Sequence, residues 1–109
     1  MKLWVDDVRP APHGYFHAYS VEQAKTLIKM MEICDGNTWS LSDDTYKIEL
    51  IDIDHDAGDF EYDGGDYIRI LDWLEQTGRN YPIRIHSMNH VVVANMRAII
   101  KKNGWKEVK

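Results

Sequence analysis

The fold is decided by residues 47–56, which read Lys47-Ile48-Glu49-Leu50-Ile51-Asp52-Ile53-Asp54-His55-Asp56. The apolar part of this stretch predicts a β-strand over 47–53 that ends abruptly in polar residues. Two other apolar runs end in the same way: Leu3-Trp4-Val5 leads into Asp6-Asp7, and Ile83-Arg84-Ile85 leads into His86-Ser87-Met88-Asn89. If the three runs are neighbouring parallel strands, their polar ends meet in one crevice, and open α/β sheets bind ligands there.

Helical patterns lie between the apolar runs. Ser20 and Gln23 form a capping-box start for a first helix that ends at Asp35-Gly36-Asn37. A second helix is predicted from near Asp66 to Gly78, and a third over 91–103. Short strands are also predicted over 2–5, 15–19 and 105–108. This alternation predicts a single three-layer α/β domain over residues 1–109 with a largely parallel, five-stranded sheet.

Two connections depart from that simple alternation. The segment after Asp7 contains Pro10, Pro12 and Gly14, which exclude a full helix between the first two strands. Residues 34–46 are predicted to be a decorated connection, in which Trp39-Ser40-Leu41 forms a short extra strand or hairpin.

Composition excludes several classes of protein. The chain has 109 residues, of which 44% are hydrophobic, and this argues for one folded domain rather than disorder. Its net charge of −5 disfavours binding to long nucleic acids, which requires a basic surface. Cys34 is the only cysteine, so no internal disulfide forms. There is no leader or membrane-spanning apolar stretch, which predicts a cytoplasmic protein. Homodimerisation stays open.

The motifs resemble those of receiver domains, which have the flavodoxin-like fold. Receivers carry an acidic pair after the first strand, a phospho-accepting Asp after the third, and Ser or Thr after the fourth. Asp6-Asp7, Asp54 and Ser87 occupy those places. The resemblance implies the strand order 2-1-3-4-5. Two features depart from it, because Val108 stands where receivers have a Lys and residues 9–14 replace the first helix.

A closer resemblance is to the cyclic-phosphate processing receiver domains, and it spans nearly the whole chain. It is carried by Trp4-Val5-Asp6-Asp7-Val8-Arg9-Pro10, by Asp54-His55-Asp56 with Gly58, and by His86-Ser87-Met88-Asn89. It implies action on a cyclic phosphate of a nucleotide or of an RNA end. In that family's pattern a Pro and a Gly follow the last motif, whereas this chain has His90 and Val92.

Asp6, Asp7 and Asp54 are the predicted metal ligands. Clustered carboxylates repel one another, and Mg²⁺ or another divalent cation would hold them together while sharing phosphate oxygens. The alternative is that these acids only cap turns and helices.

His55 and His86, together with Asp54, are the predicted catalytic residues. Imidazole titrates near neutral pH, so one histidine could activate water and the other protonate the leaving oxygen of a phosphodiester. The alternative is that either histidine is structural and bonds an Asp.

Five further residues are predicted to bind the ligand: Arg9, Asp56, Ser87, Asn89 and His90. Arg9 could fork onto a phosphate, or form a surface ion pair with Asp7 or Asp56. Ser87 and Asn89 could cap the next helix, whose free N–H groups also suit a phosphate. Aromatic side chains could stack on a base, or belong to the core and its rim: Tyr15, Phe16, Phe60, Tyr62 and Tyr67.

Three functions remain open from the sequence. The first is metal-assisted hydrolysis of a cyclic phosphate by an enzyme. The second is a binding protein that sequesters a cyclic nucleotide or another small phosphorylated ligand without turning it over. The third is a phospho-accepting receiver of a signalling system, which the missing Lys and the short first crossover disfavour.

Overall fold

The computed structural model describes residues 1–35 and 47–109. Four parallel strands form one sheet in the order β2-β1-β3-β4. Their bounds are β1 Lys2–Val5, β2 Tyr15–Ala18, β3 Leu50–Ile53 and β4 Ile83–Ile85. Val5 pairs with both Ala18 and Ile53, and Ile53 pairs with Ile85. The C-terminal ends of the four strands are therefore level, and the polar residues that follow them share one edge of the sheet.

Three helices follow the strands: α1 Val21–Asp35, α2 Ile68–Gln76 and α3 His90–Asn103. Ser20 caps α1, because its Oγ accepts the N–H of Gln23 at 3.1 Å. Gly104 ends α3 in the left-handed conformation with φ of 68°, where glycine has no steric penalty. A 3-10 turn, Gly58–Phe60, lies between β3 and α2. None of the helices in the two described segments is long and apolar enough to cross a membrane.

The core lies between the sheet and these helices. Alternate strand residues, among them Leu3, Val5, Ile51 and Ile53, join the buried faces of all three helices in one cluster. The helices lie in a row, with α1 against α2 and α2 against α3. Side chains alternate between the two faces of a strand, so Trp4 and Asp52 point away from the helices. We call that side of the sheet the helix-free face.

The number of layers and strands differs from the prediction. Within residues 1–35 and 47–109 the domain has two layers, where the sequence predicts three. A helix between β1 and β2 would have covered the helix-free face, but Pro10, Pro12 and Gly14 occupy that connection. The predicted fifth strand is reduced to one bridge, from Glu107 to Ile83. The parallel α/β architecture and the order of the four strands are as predicted.

Some boundaries also shift. The strand predicted over 47–53 begins only at Leu50, and α2 begins at Ile68 rather than near Asp66. The predicted strand or hairpin at Trp39-Ser40-Leu41 lies outside the described residues.

Candidate functional site

Three carboxylates converge at the level edge of the sheet. One ligand oxygen from each of Asp6, Asp7 and Asp54 lies within 4.8 Å of the others. The backbone places them there: Asp6 N donates to Ala18 O at 3.3 Å, and Asp54 N donates to Val5 O at 2.9 Å. Hydrogen bonding of β1 to both neighbours therefore continues past the strand ends and brings the acids together, as the sequence predicts. We call these residues the acid trio.

The acids of the trio have different electrostatic surroundings. Burial raises the pKa of Asp7, and the charges of Asp6, Asp54 and Asp56 raise it further. Burial would also raise the pKa of Asp6. It is outweighed by hydrogen bonds from the N–H groups of Arg9 and Val8 and from His86, so the pKa of Asp6 is lowered. Asp6 is thus a stabilised carboxylate, whereas Asp7 carries uncompensated repulsion.

Gly58 allows the loop after β3 to approach Asp7 closely. Its φ is 53°, and a Cβ placed on it would lie 2.1 Å from Asp7 Oδ2. The backbone angle favours glycine, and a side chain at this position would have to displace the Asp7 carboxylate from its place. The Asp56 side chain supports the same turn by accepting the Gly58 N–H at 2.9 Å.

His86 is held between two buried carboxylates. Its Nε2 lies 2.9 Å from Asp6 Oδ2 and its Nδ1 lies 2.6 Å from Asp52 Oδ1. Carboxylates accept hydrogen bonds, so each of these contacts suits a ring nitrogen that donates. Asp52 also accepts from Arg84 Nη1 at 3.0 Å. The His86 ring stacks on Trp4 with centroids 3.8 Å apart, a contact between two flat rings.

His55 has one nitrogen engaged and one without a partner in the described part of the chain. Its Nδ1 lies 2.6 Å from Ser87 Oγ and 3.2 Å from Asp54 Oδ1. Because Asp54 can only accept, this contact favours the tautomer with the proton on Nδ1. The lone pair then lies on Nε2. Of the two predicted histidines, His55 has the geometry of a base, whereas both nitrogens of His86 are taken up by buried carboxylates.

These motifs follow strands β1, β3 and β4 in the order expected for one family. A family model described as the cyclic-phosphate processing receiver domain matches residues 1–102. The chain belongs to that family. No curated protein and no solved structure matches it significantly.

This receiver domain has Val108 where other receivers have a lysine, as the sequence indicates, and a histidine is the basic residue next to the acid trio. Among the described residues no lysine forms an ion pair with an acid of the trio, and the basic group that faces Asp6 is His86. Lys106 O and Val108 N bond to Ile83 on β4, so the last residues run beside β4 without supplying a cation to the site.

The start of α3 borders the receiver's acidic edge. Asn89 is the N-cap, and its Oδ1 accepts the Val92 N–H at 3.2 Å. Ser87 Oγ accepts the Asn89 N–H at 3.2 Å. Helix starts leave several N–H groups without partners, and those of His90 and Val91 have none among the described residues. Both predicted capping roles are present, and two donors remain for an anion.

The other predicted ligand-binding residues lie at the rim. The Arg9 side chain is exposed and forms no ion pair with Asp7, Asp56 or any other described acid. Its backbone is fixed, because Arg9 N donates to Asp6 Oδ1 and Arg9 O accepts from Trp4 Nε1. Asp56 is exposed and His90 is exposed at the first position of α3. The geometry leaves the Arg9 and His90 side chains available to a ligand.

Sequence reasoning missed three residues that organise this receiver's site: Trp4, Asp52 and Arg84. Asp52 has no exposed surface and bonds both Arg84 and His86. Acids are almost never fully buried unless they are paired. An Asp between Ile51 and Ile53 in an apolar strand was therefore a usable signal that a cationic partner lies on the neighbouring strand.

Proposed function

We propose that this receiver domain hydrolyses a cyclic phosphate on a nucleotide or RNA end, assisted by a divalent cation. The observation that supports this most is the acid trio together with His55, whose Nδ1 contacts one of its members, Asp54. It combines a set of oxygen ligands with an imidazole nitrogen that has no other described partner.

The acid trio fits Mg²⁺ or a similar hard cation. Such ions take carboxylate oxygens and keep several waters, so two or three carboxylates at one open edge suffice. The raised pKa of Asp7, caused by burial and by three nearby carboxylates, indicates negative charge that a cation would relieve. When bound, the ion would polarise a phosphoryl oxygen and neutralise charge on it.

His55 is the proposed general base. With the proton on Nδ1, held by Asp54 and Ser87, Nε2 can take a proton from the attacking water. The water oxygen bonds to phosphorus as one ester P–O bond of the ring breaks, and the proton that His55 took from the water then passes to the leaving oxygen, which returns His55 to its neutral form. Ser87 positions the ring through its 2.6 Å contact.

His86 is proposed to hold Asp6 in place. Both of its nitrogens already face carboxylates, and only 8% of its side chain is exposed, so it would have to break a buried bond to act as an acid. Arg9, Ser87, Asn89 and His90 are proposed to bind the phosphate, with Arg9 reaching over the crevice and the α3 start supplying N–H groups.

A second candidate function is sequestration of a cyclic nucleotide without turnover. It is favoured by the fact that His55 is the one histidine of the two motifs with a ring nitrogen that no described residue binds. Hydrolysis by a matched acid and base would require a second proton carrier, whereas binding requires only the cation, Arg9 and the helix start.

Product analysis separates the two functions. The full chain with Mg²⁺ or Mn²⁺ is incubated with 2′,3′- and 3′,5′-cyclic nucleotides, and ring opening is followed by phosphorus NMR. For an enzyme, His55→Ala and Asp54→Asn should each lower turnover about 10²- to 10⁴-fold. His13→Ala is the matched control, because His13 is exposed and outside the site.

The other outcomes are equally informative. Tight binding without product, weakened by His55→Ala, would establish sequestration and exclude hydrolysis. If no cyclic nucleotide binds or reacts, with either metal, both functions are wrong.

A further inference from the structure

A row of aromatic rings runs from the end of β2 to the loop after β3. His17 stacks on Tyr19 with centroids 3.9 Å apart, Tyr19 lies 5.5 Å from Phe60, and Phe60 lies 6.5 Å from Tyr62. Tyr19 is 40% exposed and Tyr62 is 84% exposed. The Tyr19 and Tyr62 rings are therefore exposed to solvent rather than packed in the core.

The loop that carries Phe60 and Tyr62 is held in one conformation. Its turns are closed by backbone bonds from Phe60 to Ala57, from Glu61 to Gly58 and from Asp63 to Phe60. The far end is fixed to the start of α1, because Asp63 Oδ2 accepts from Ser20 Oγ at 2.7 Å. A loop whose backbone is closed in this way has less freedom to lose when a ligand binds, which lowers the entropic cost of binding.

The row lies beside the acid trio. Gly58, two residues before Phe60, contacts Asp7. Tyr19 follows Ala18, whose carbonyl bonds Asp6 N, and Tyr19 O accepts from Tyr67 at 2.7 Å. Burial raises the pKa of Tyr67, and the charges of Asp7, Asp6 and Asp54 raise it further, so Tyr67 joins the row to the acids.

Spacing and angle suit a flat heterocycle. Phe60 and Tyr62 are tilted by only 29° with centroids 6.5 Å apart. Two nearly parallel rings offer faces on which one base can stack, and such stacking does not depend on the identity of the base.

We propose that Tyr19, Phe60 and Tyr62 form a stacking subsite for the base of a nucleoside cyclic monophosphate. This inference rests on the proposed function, because the phosphate of the same ligand must lie at the acid trio. Of the other aromatic residues predicted to stack, Tyr67 is fully buried, Tyr15 packs edge-on against Trp4, and Phe16 lies on the edge strand β2; they take no part.

The negative charge of the loop that carries Phe60 and Tyr62 favours a mononucleotide over an RNA end as the ligand. Asp59, Glu61 and Asp63 alternate with the ring-bearing residues of the loop, and a second phosphate next to the bound base would meet their carboxylates. A single base with a single phosphate avoids that repulsion.

The test measures binding by calorimetry in Mn²⁺ with three ligands: adenosine 2′,3′-cyclic phosphate, ribose 2′,3′-cyclic phosphate without a base, and a short RNA that ends in the same cyclic phosphate. Tyr62→Leu and Phe60→Leu should each weaken adenosine binding about 5- to 150-fold, the range for loss of one base stack. Tyr62→Phe should restore it. Binding of the base-free ligand should not change.

Phe16→Leu serves as the matched control, because Phe16 is an exposed aromatic on β2 outside the row. Equal affinity for the base-free and adenosine ligands, or wild-type binding by both leucine variants, would overturn the subsite alone. Tighter binding of the RNA than of the mononucleotide would overturn the choice of ligand. If none of the three ligands binds, the proposed function fails together with the subsite.

Discussion

Single residues of the acid trio differ in what they contribute to stability, and Asp7 is the one that opposes folding. Its raised pKa means that the folded protein holds the Asp7 proton more tightly than the unfolded chain does. Ionised Asp7 therefore destabilises the fold. This cost is absent below the unfolded pKa of 3.8 and is fully present above the folded pKa.

Asp7→Asn should raise the melting temperature at neutral pH in the presence of a chelator. The gain should shrink as the pH is lowered toward the unfolded pKa of 3.8, because Asp7 is then protonated in both states. In millimolar Mn²⁺ the order should reverse, since the wild type gains stability from the ion and the variant gains less. Asp59→Asn is the control, and an equal response of both variants to Mn²⁺ would contradict the metal site.

Gly58 gives a second prediction at this scale. Alanine at a positive φ costs on the order of 1 kcal/mol wherever it occurs, but only at Gly58 does the new Cβ also meet Asp7. Gly58→Ala should therefore abolish the rise in melting temperature with Mn²⁺. Gly78→Ala is matched, because Gly78 has a φ of 69° and no atom within 4 Å of an added Cβ, and it should lose stability while keeping the response to Mn²⁺.

At the scale of elements, the start of α3 has a backbone conformation that accepts a proline, although this chain has His90 at that position. His90 occupies the first helical position, where the N–H has no described partner and proline is favoured. Asn89 has φ −83° and ψ 100°, and this extended conformation is the one that a residue before proline requires. The helix start thus tolerates either residue.

His90→Pro should therefore raise the free energy of unfolding by up to about 1 kcal/mol, through reduced freedom of the unfolded chain. Denaturation in urea gives the value. Val91→Pro is the control, since it places His90, a helical residue, before the proline and should destabilise α3. A large loss of stability in His90→Pro would show that the His90 side chain supports the helix start.

Prediction from the sequence was successful where local patterns decide structure. Ser20 and Asn89 were identified as caps because short polar side chains before apolar periodic segments have that role. The ends of the strands were predicted from the acidic residues that directly follow the apolar runs. The predicted length of the fifth strand was wrong, because Glu107 makes one bridge to β4. The sequence pattern alone does not show how far the pairing of two strands continues.

The site was predicted less completely than the fold. Convergence of Asp6, Asp7 and Asp54 follows from strand order, which the sequence pattern carries. The partners of His86 do not follow from strand order. Asp52 and Arg84 project from the helix-free face, and polar residues that alternate with apolar ones on a strand resemble an ordinary solvent-exposed pattern. Their role becomes visible only when it is known that no helix in the described part of the chain covers this face.

For the whole molecule, the two ends of the sheet carry separate polar clusters. At the end opposite the acid trio, Glu32 accepts from Arg79 Nε at 2.8 and 3.1 Å and from Arg79 Nη2 at 2.9 Å, and it also accepts from the Tyr81 hydroxyl. The bonds from Arg79 lower the pKa of Glu32 more than burial raises it, and Tyr81 adds to the lowering. Stability from Glu32 is therefore present above its unfolded pKa of 4.5 and is lost as the pH falls through the lowered folded value.

Glu32→Gln should lower the melting temperature at neutral pH, and the difference from wild type should vanish in acid. Distant sites with no shared partners contribute additively, so the gain in melting temperature on adding Mn²⁺ should be the same in Glu32→Gln as in the wild type. An altered response to the ion would show that the two ends are coupled through the sheet.

The side chains joined through Asp52 and His86 also have a consequence for how this protein can change over generations. Asp52 pairs with Arg84 and with His86, and His86 also contacts Asp6. Removing Arg84 or His86 leaves Asp52, which has no exposed surface, short of a partner, and a buried carboxylate without compensation destabilises the fold. Viable lineages must therefore exchange Asp52, Arg84 and His86 together. We expect these positions to covary among relatives, and an alignment in which Asp52 varies freely while the other two persist would contradict this expectation. The helix-free face is then inherited as a unit, while the loops around it remain free to diverge.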